Sequence, residues 1–283
     1  MNNSIFIDPK TKSPLEEWTN SDQSKTYLRN SEGTDYLIEN DIPNLIFPLT
    51  LNPAERNSLS FYEGRAEQYE NTLHLTFKTH GIDEIATRKS FIEKLKIKPE
   101  SKILEIACGT GRDSILIADE LSLQGELHLQ DISKDMLRVC KKKLSGNPCI
   151  SSFALANALY LPYPDGYFDG VYSFGALGEF SDKQKALKEM VRVTKIGGRV
   201  VVGDESVPEW LRDTDYFKIL KATNPMFEEQ LPLYAIPKQA RNTSIHYVIG
   251  QSFYLIEFEA GQGEPTANFD FTIPGTRGGS YRT

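Results

Sequence analysis

The rhythm of apolar and polar positions changes near residue 100. From there short apolar runs alternate with amphipathic stretches: 102–107, 126–130, 168–174 and 198–203 read as strands, with 112–121, 134–144 and 182–194 between them as helices. Strands and helices alternating at this spacing form βαβ units, whose crossovers build a mostly parallel sheet. Farther on, 208–222 reads as a helix, and 254–259 with 268–272 as an antiparallel strand pair closing the sheet edge. Upstream, Phe61, Tyr62, Tyr69 and Phe77 recur at near-helical spacing within 52–80, and 82–96 continues that pattern, so helices lead into the sheet. Residues 1–48 are polar and broken by Pro and Gly, with strand-like pieces at 35–39 and 44–47, and read as a small separate β-rich unit.

Composition narrows what this α/β chain does. Its 283 residues are 39% hydrophobic and 11% aromatic, enough to bury a large core. A net charge of -7 repels a phosphate backbone at long range, which makes a nucleic-acid partner the lesser expectation. The N-terminal MNNSIFIDPKTK lacks a basic segment followed by an apolar run, and no stretch approaches the roughly 18 apolar residues of a membrane span, so a cytoplasmic protein is expected. Cys108, Cys140 and Cys149 form no C-x-x-C pair, which points away from a disulfide framework or a structural metal, and Cys108 reads as a small apolar residue packed behind a ligand.

Candidate chemistry centres on the loop Glu105-Ile-Ala-Cys-Gly-Thr-Gly111, placed after a strand and before a helix. Glycine there lets backbone approach a ligand closely, and the helix N-terminus presents free N–H groups. Asp131, twenty residues after Gly111, ends the next predicted strand, from where a carboxylate can accept hydrogen bonds from two ribose hydroxyls. The third glycine of a dinucleotide fingerprint is replaced by Ser114, so the loop suits a nucleoside cofactor without a pyrophosphate. Taken singly, Glu105 could equally be a strand-end carboxylate, Asp131 a neighbour of a helix cap, and Tyr69 a core residue.

Four stretches, ILEIACGTGRDS, LQDISKDML, ANALYLPYPDGYFDGVYS and LKEMVRVTKIGGRVVVGD, occur in the order and approximate spacing of a known family. Residues from about 60 to 205 resemble a class I S-adenosylmethionine-dependent methyltransferase of the UbiE-like type. The resemblance implies a Rossmann-like seven-stranded sheet, mostly parallel with an antiparallel last strand pair, and S-adenosylmethionine as cofactor. It implies that Glu105 orients the loop and the cofactor's amino-acid end, that Ala107, Gly109 and Gly111 make room for the methionyl part, and that Asp131 binds the ribose. It further implies that Ile132 and Met136 flank the adenine, that Asn157 and Ala158 meet its amino edge, and that Tyr69 and Phe174 line the cofactor's cover. Where Asn157 stands the family more often has Asp; an amide oxygen still accepts a hydrogen bond from the adenine amino group.

Methyl transfer needs alignment of donor and acceptor and, for a protonated nucleophile, a base. Candidate bases or orienting groups are Glu179, Asp204 and Glu205 near strand ends, with His74 and His80 on the covering segment. The stretch Phe174-Gly-Ala-Leu-Gly-Glu-Phe180 predicts an apolar, glycine-lined acceptor pocket with Glu179 as its one ionisable group. With no Asn-Pro-Pro-Tyr tetrapeptide in place, the acceptor expected is a small organic molecule methylated at carbon or oxygen. The alternatives are an RNA methyltransferase and a non-catalytic cofactor-binding partner subunit. In the tail, Arg277 and Arg282 among glycines could fold over an anionic substrate or form a free terminus.

Residues 6–47 resemble a Trm112-type zinc-ribbon segment, with Asp8, Thr11, Asn30 and Gly33 approximately where four cysteines would stand, so no metal is expected there. The division expected is a metal-free unit over 1–48 and a methyltransferase domain over 49–283. The latter comprises a helical cover (49–98), a cofactor-binding core (99–205) and an acceptor-side, sheet-closing segment (206–283).

Overall fold

The computed structural model describes residues 3–20 and 25–267. The first five strands, β1 (Asn3–Ile7), β2 (Pro14–Thr19), β3 (Thr26–Arg29), β4 (Asp35–Glu39) and β5 (Ile42–Pro43), form an antiparallel meander in chain order. A two-residue turn joins β4 to β5, and both its residues, Asn40 and Asp41, lie in the left-handed region, at φ 52° and 59°. Asn and Asp tolerate that conformation, and its twist matches the strands it connects. Trp18 stacks on Tyr27 across β2 and β3, with the Arg29 guanidinium 3.7 Å from the indole ring.

A polar knot holds this meander together. Asp8, 1% exposed, accepts hydrogen bonds at Oδ1 from the N–H groups of Lys10 (2.7 Å) and Thr11 (2.8 Å). Its Oδ2 accepts from Asn30 Nδ2 (2.6 Å) and the Tyr36 hydroxyl (3.0 Å). Asn30 Oδ1 in turn accepts from the backbone of Glu32 and Thr34, so the two loops are cross-linked through side-chain amide and carboxylate.

The large sheet contains β6 (Lys102–Ile106), β7 (Glu126–Asp131), β8 (Ile150–Leu155), β9 (Phe168–Phe174), β10 (Thr194–Glu205), β11 (Ala240–Val248) and β12 (Phe253–Ala260). Its order is β11-β12-β10-β9-β6-β7-β8, parallel from β10 to β8 and antiparallel in the β10–β12 and β11–β12 pairs. Helices α1 (Pro53–Tyr62), α2 (Ala66–Thr72), α3 (His74–Thr79) and α4 (Glu84–Ile92) precede it, and α5 (Arg112–Asp119), α6 (Lys134–Lys143), α7 (Lys183–Val193) and α8 (Asp215–Thr223) connect its strands. Side-chain caps start several of them: Asp83, Ser133, Asp182 and Thr214 each accept from an N–H three residues on, the geometry that satisfies an otherwise orphaned donor.

The two sheets share apolar packing. Phe6, Leu15, Leu28 and Leu45 cluster with Leu104, Ala154 and Tyr163 of the large sheet's surroundings. Backbone bonds run from Leu45 N–H to the Leu155 carbonyl (2.8 Å) and from Ile7 N–H to that of Pro162 (3.0 Å). The meander thereby covers β8, which would otherwise be an open edge.

Two sheet elements differ from expectation. The partner of β12 is β11, not 268–272, which lies outside the described residues. β11 reads Ala-Arg-Asn-Thr-Ser-Ile-His-Tyr-Val at a half-exposed edge, so it lacks the apolar alternation that announces a strand. Likewise β8, with two serines in its first half, is legible only from its buried Phe153 and Ala154. The helix expected over 208–222 is a short 3-10 turn, Glu209–Leu211, followed by α8, and that over 82–96 is α4 extended by the 3-10 turn Glu93–Leu95. Among the described residues no helix is long and apolar enough to cross a membrane.

Removing the knot's centre, as in Asp8→Ala, should destabilise the protein by about 2–3 kcal/mol, since charge-assisted bonds are lost and buried donors orphaned. Burial pushes the Asp8 carboxyl up, yet its four hydrogen bonds outweigh it and hold the group below the ordinary 3.8. Its contribution is therefore complete above that value and vanishes as pH falls through the lower folded value. Thermal melts of wild type and variant should differ at neutral pH and converge in strong acid.

Candidate functional site

In an open α/β sheet, ligands sit beyond the carboxyl ends of the strands where connections diverge to either side. Here that point lies between β6, which connects onward to β7, and β9, which pairs with β10. The β6 loop is pinned there by its neighbour strand. Asp131, at the end of β7, accepts at Oδ2 from the Gly109 N–H (2.8 Å) and at Oδ1 from that of Ser133 (2.8 Å). Cys108 N–H reaches the Gln130 carbonyl (3.1 Å) in the same span. Burial raises the Asp131 carboxyl to about 6, against the pull of those backbone donors.

The two loop glycines have different reasons. Gly109 is at φ +53° and a Cβ there would meet nothing within 4 Å, so the backbone faces open space. Gly111, at φ +81°, starts α5, and a Cβ on it would stand 2.7 Å from Cys140 Sγ on α6. Gly111 therefore permits helix packing and, contrary to expectation, does not line the cavity.

Behind the loop lies a buried charge network. Glu105, 3% exposed, accepts a 2.5 Å bond from the Ser114 hydroxyl. Its pKa is driven well up by burial and by the negative charge of Asp113. Arg88 of α4 donates to Glu84 (2.9 Å) and Asp113 (2.8 Å), with its guanidinium 4.9 Å from the Phe77 ring. Arg112 binds Glu84 from the other side at 2.9 Å. The second oxygen of Asp113 and Oε1 of Gln130 are buried without a partner.

At the opposite end, helix α1 presents Glu55, Ser58 and Tyr62 on one face, the spacing of one helical stripe. Glu179 accepts from the Ser58 hydroxyl and, at 3.1 Å, from the Tyr62 hydroxyl, and burial raises its pKa. Glu55 accepts at Oε1 from Ser181 N–H (3.0 Å) and Oγ (2.5 Å). Asp204 accepts from the N–H groups of Gly178 and Glu205, which fixes the turn after β9 to the end of β10. Glu205 is pushed well up by burial and by Asp204 beside it.

Groups from both ends, among them Glu55, Tyr62, Arg88, Glu105, Asp131 and Glu179, line one cavity of 680 Å³. Of the residues expected at a cofactor, it brings together Tyr69, Glu105, Ala107, Gly109, Asp131 and Ile132, and also Met136, Asn157, Ala158 and Phe174. Asn157 is buried and its amide oxygen accepts from the Leu159 N–H at 3.0 Å, leaving one lone pair. Glu179 and Asp204 line the cavity; His74 is exposed on α3 and does not. His80 is turned to the Thr76 carbonyl and Tyr216 hydroxyl. Nor is Glu179 the one ionisable group at its end of the cavity, because Glu55, Asp204 and Glu205 stand there too. Arg88, Glu55 and Tyr62 escaped sequence reasoning; the polar stripe on α1 was the available signal for two of them. No residue of the N-terminal meander is among the described lining residues, and Arg277 and Arg282 lie outside the described residues.

The model of the ubiE/COQ5 methyltransferase family matches residues 63–231. The ubiquinone/menaquinone biosynthesis C-methyltransferase UbiE of Xanthomonas oryzae pv. oryzae is 33% identical over 180 residues, covering 59% of this chain and 71% of that protein. Its namesake from Francisella philomiragia subsp. philomiragia is 40% identical over 124 residues, 43% of this chain and 49% of that protein, so the chain spans about half of its length. Among solved structures, Haemonchus contortus phosphoethanolamine N-methyltransferase 2 with S-adenosyl-L-methionine has a TM-score of 0.55 at 14% identity, over 78% of this chain and 62% of that one. A chain from a complex containing the Haloferax volcanii Trm112 methyltransferase activator has a TM-score of 0.53 at 13% identity, over 75% of this chain and 99% of that one. Both structural likenesses speak to the fold.

Gly111→Ala should cost about 2–4 kcal/mol, from a left-handed backbone on an L residue and overpacking against Cys140. Combining it with Cys140→Ala should give less destabilisation than the sum of the single variants, because the smaller side chain relieves the clash. Denaturant unfolding of the four proteins measures the coupling; strict additivity would contradict the packing role.

Proposed function

The chain belongs to the ubiE/COQ5 methyltransferase family, and we propose that it transfers the methyl group of S-adenosylmethionine to carbon or oxygen of a small organic acceptor. It is an S-adenosylmethionine-dependent methyltransferase of Rossmann-like fold. The observation that carries the finer reading is the 105–111 loop, pinned by Asp131 so that its open glycine face and a carboxyl-bearing far end share one cavity.

The residues present fit the cofactor. Gly109 offers an unobstructed backbone face, Gln130 Oε1 is a buried acceptor without a partner, and each Asp131 oxygen retains a lone pair beyond its backbone bond. In this reading Asp131 holds the ribose hydroxyls, Ile132 and Met136 flank the adenine, and Asn157 with Ala158 meets its amino edge. Ala107 and Gly109 leave room for the methionyl part. Glu105 and Arg88 serve its amino and carboxylate ends, Arg88 through N–H donors not used by Glu84 and Asp113. Tyr69 and Phe174 cover the centre. When bound, the cofactor supplies an electrophilic methyl group on a sulfonium, displaced in line.

The chain's own task is then to orient the acceptor and manage its proton. Glu179 suits the second role: burial raises its affinity for a proton, and Ser58 with Tyr62 fixes its orientation. Asp204 is a positioning residue that holds the Gly178 turn beside Glu179. The relatives' name supports a quinone-like acceptor. A carboxyl-lined acceptor end and a net charge of -7 weigh against RNA. The division into a metal-free unit over 1–48 and a catalytic domain over 49–283 belongs to the same reading.

Asp131→Ala should weaken S-adenosylmethionine binding about 10- to 100-fold by calorimetry, the loss expected for charge-assisted hydrogen bonds; unchanged affinity would sink the assignment. In the wild type, affinity should be full above about 6, where Asp131 is ionised, and decline as pH falls through that value. Glu179→Gln should lower kcat about 10²- to 10⁴-fold and remove the acid limb of the pH–rate profile while leaving KM for the cofactor nearly unchanged.

A further inference from the structure

The two ends of the cavity treat charge differently. At the loop end the lining cations are matched, Arg88 by Glu84 and Asp113 and Arg112 by Glu84 and Glu70. At the acceptor end Glu55, Glu179, Asp204 and Glu205 line the wall, and among the described residues none of the four is in an ion pair. No Lys or His is among the described lining residues. The carboxyls do not form a metal site, since no group of three or more suitable ligands converges among the described residues.

Glu55 carries the point further. It is 4% exposed, its Oε1 is satisfied by Ser181, and its Oε2 is buried with no partner. A buried carboxylate oxygen left so is costly unless a ligand brings a donor or a positive charge. The same wall carries the rings of Tyr62 and Phe180, and aromatic faces attract organic cations.

We infer that the acceptor carries a protonated nitrogen, received by Glu55 and its neighbouring carboxyls within this aromatic wall, while the methyl group goes to a carbon or oxygen elsewhere on the molecule. The class is a hydroxylated aromatic amine. This rests on reading the cavity as a joint cofactor and acceptor site. It adds that an anionic acceptor is disfavoured, because it brings no donor to the unpartnered Glu55 oxygen.

The test is calorimetric titration of the full chain, saturated with S-adenosylhomocysteine, with three phenols of similar size: tyramine (cationic), 4-ethylphenol (neutral) and 4-hydroxyphenylpropionate (anionic). Tyramine should bind at least about ten-fold more tightly than 4-ethylphenol, and the anion most weakly. Glu55→Gln should erase most of that preference, with S-adenosylhomocysteine binding reporting that the variant is folded; should it not fold, Glu179→Gln should reduce the preference in the same direction. No preference for tyramine, or tightest binding of the anion, overturns the inference. Failure of the wild type to bind S-adenosylhomocysteine would instead sink the cofactor reading.

Discussion

Asp131 ties the end of β7 to the loop that follows the neighbouring strand, β6. One oxygen holds the Gly109 N–H and the other that of Ser133, whose hydroxyl caps α6. Those bonds exist because β6 and β7 pair in the register that sets Ile106 against Gln130, leaving Asp131 level with the loop. A slip of one residue would turn every side chain of β7 to the other face and lose them. From the same corner, α6 sends Cys140 against Gly111, so loop conformation, helix packing and strand register are one mutually dependent unit. The cavity opens from this corner toward β9 and β10, and its far wall is fixed by Asp204 as the near wall is by Asp131.

Much of this was legible in the chain. The alternation of apolar runs and amphipathic stretches located most of the parallel strands and their helices, and the spacing of Gly111 and Asp131 located the loop that they support. What stayed hidden depends on distant contacts. β11 is a polar edge strand, so its pairing with β12 is decided by backbone bonds rather than by burial of alternate residues. Gly111 looked like a ligand-facing glycine, but its constraint comes from Cys140, a helix away. Arg88 sits among ordinary helix residues and acquires meaning only when Asp113 and Glu84 surround it. His74, by contrast, had the right chemistry and the wrong face of α3.

The end of the cavity beside β9 and β10 changed most between sequence and structure. Phe174-Gly-Ala-Leu-Gly-Glu-Phe180 alone describes an apolar pocket with one carboxyl. Folding adds Glu55 from α1 and Asp204 with Glu205 from β10, so the wall becomes acidic where the local stretch is bland. The polarity of the cavity thus runs from paired charges at the loop to carboxyls without an ion pair, among the described residues, at the β9–β10 end. The N-terminal meander stays outside it: its Asp8–Asn30 knot stabilises a unit that packs on β8 and completes the sheet's edge.

A crystal structure with S-adenosylhomocysteine would decide most directly whether this corner is the cofactor site. The account predicts the ribose at Asp131, the adenine between Ile132 and Met136, and the thioether sulfur facing the space bounded by Phe174 and Glu179. Adenosine found away from Asp131, or a sulfur turned from Glu179, would contradict it.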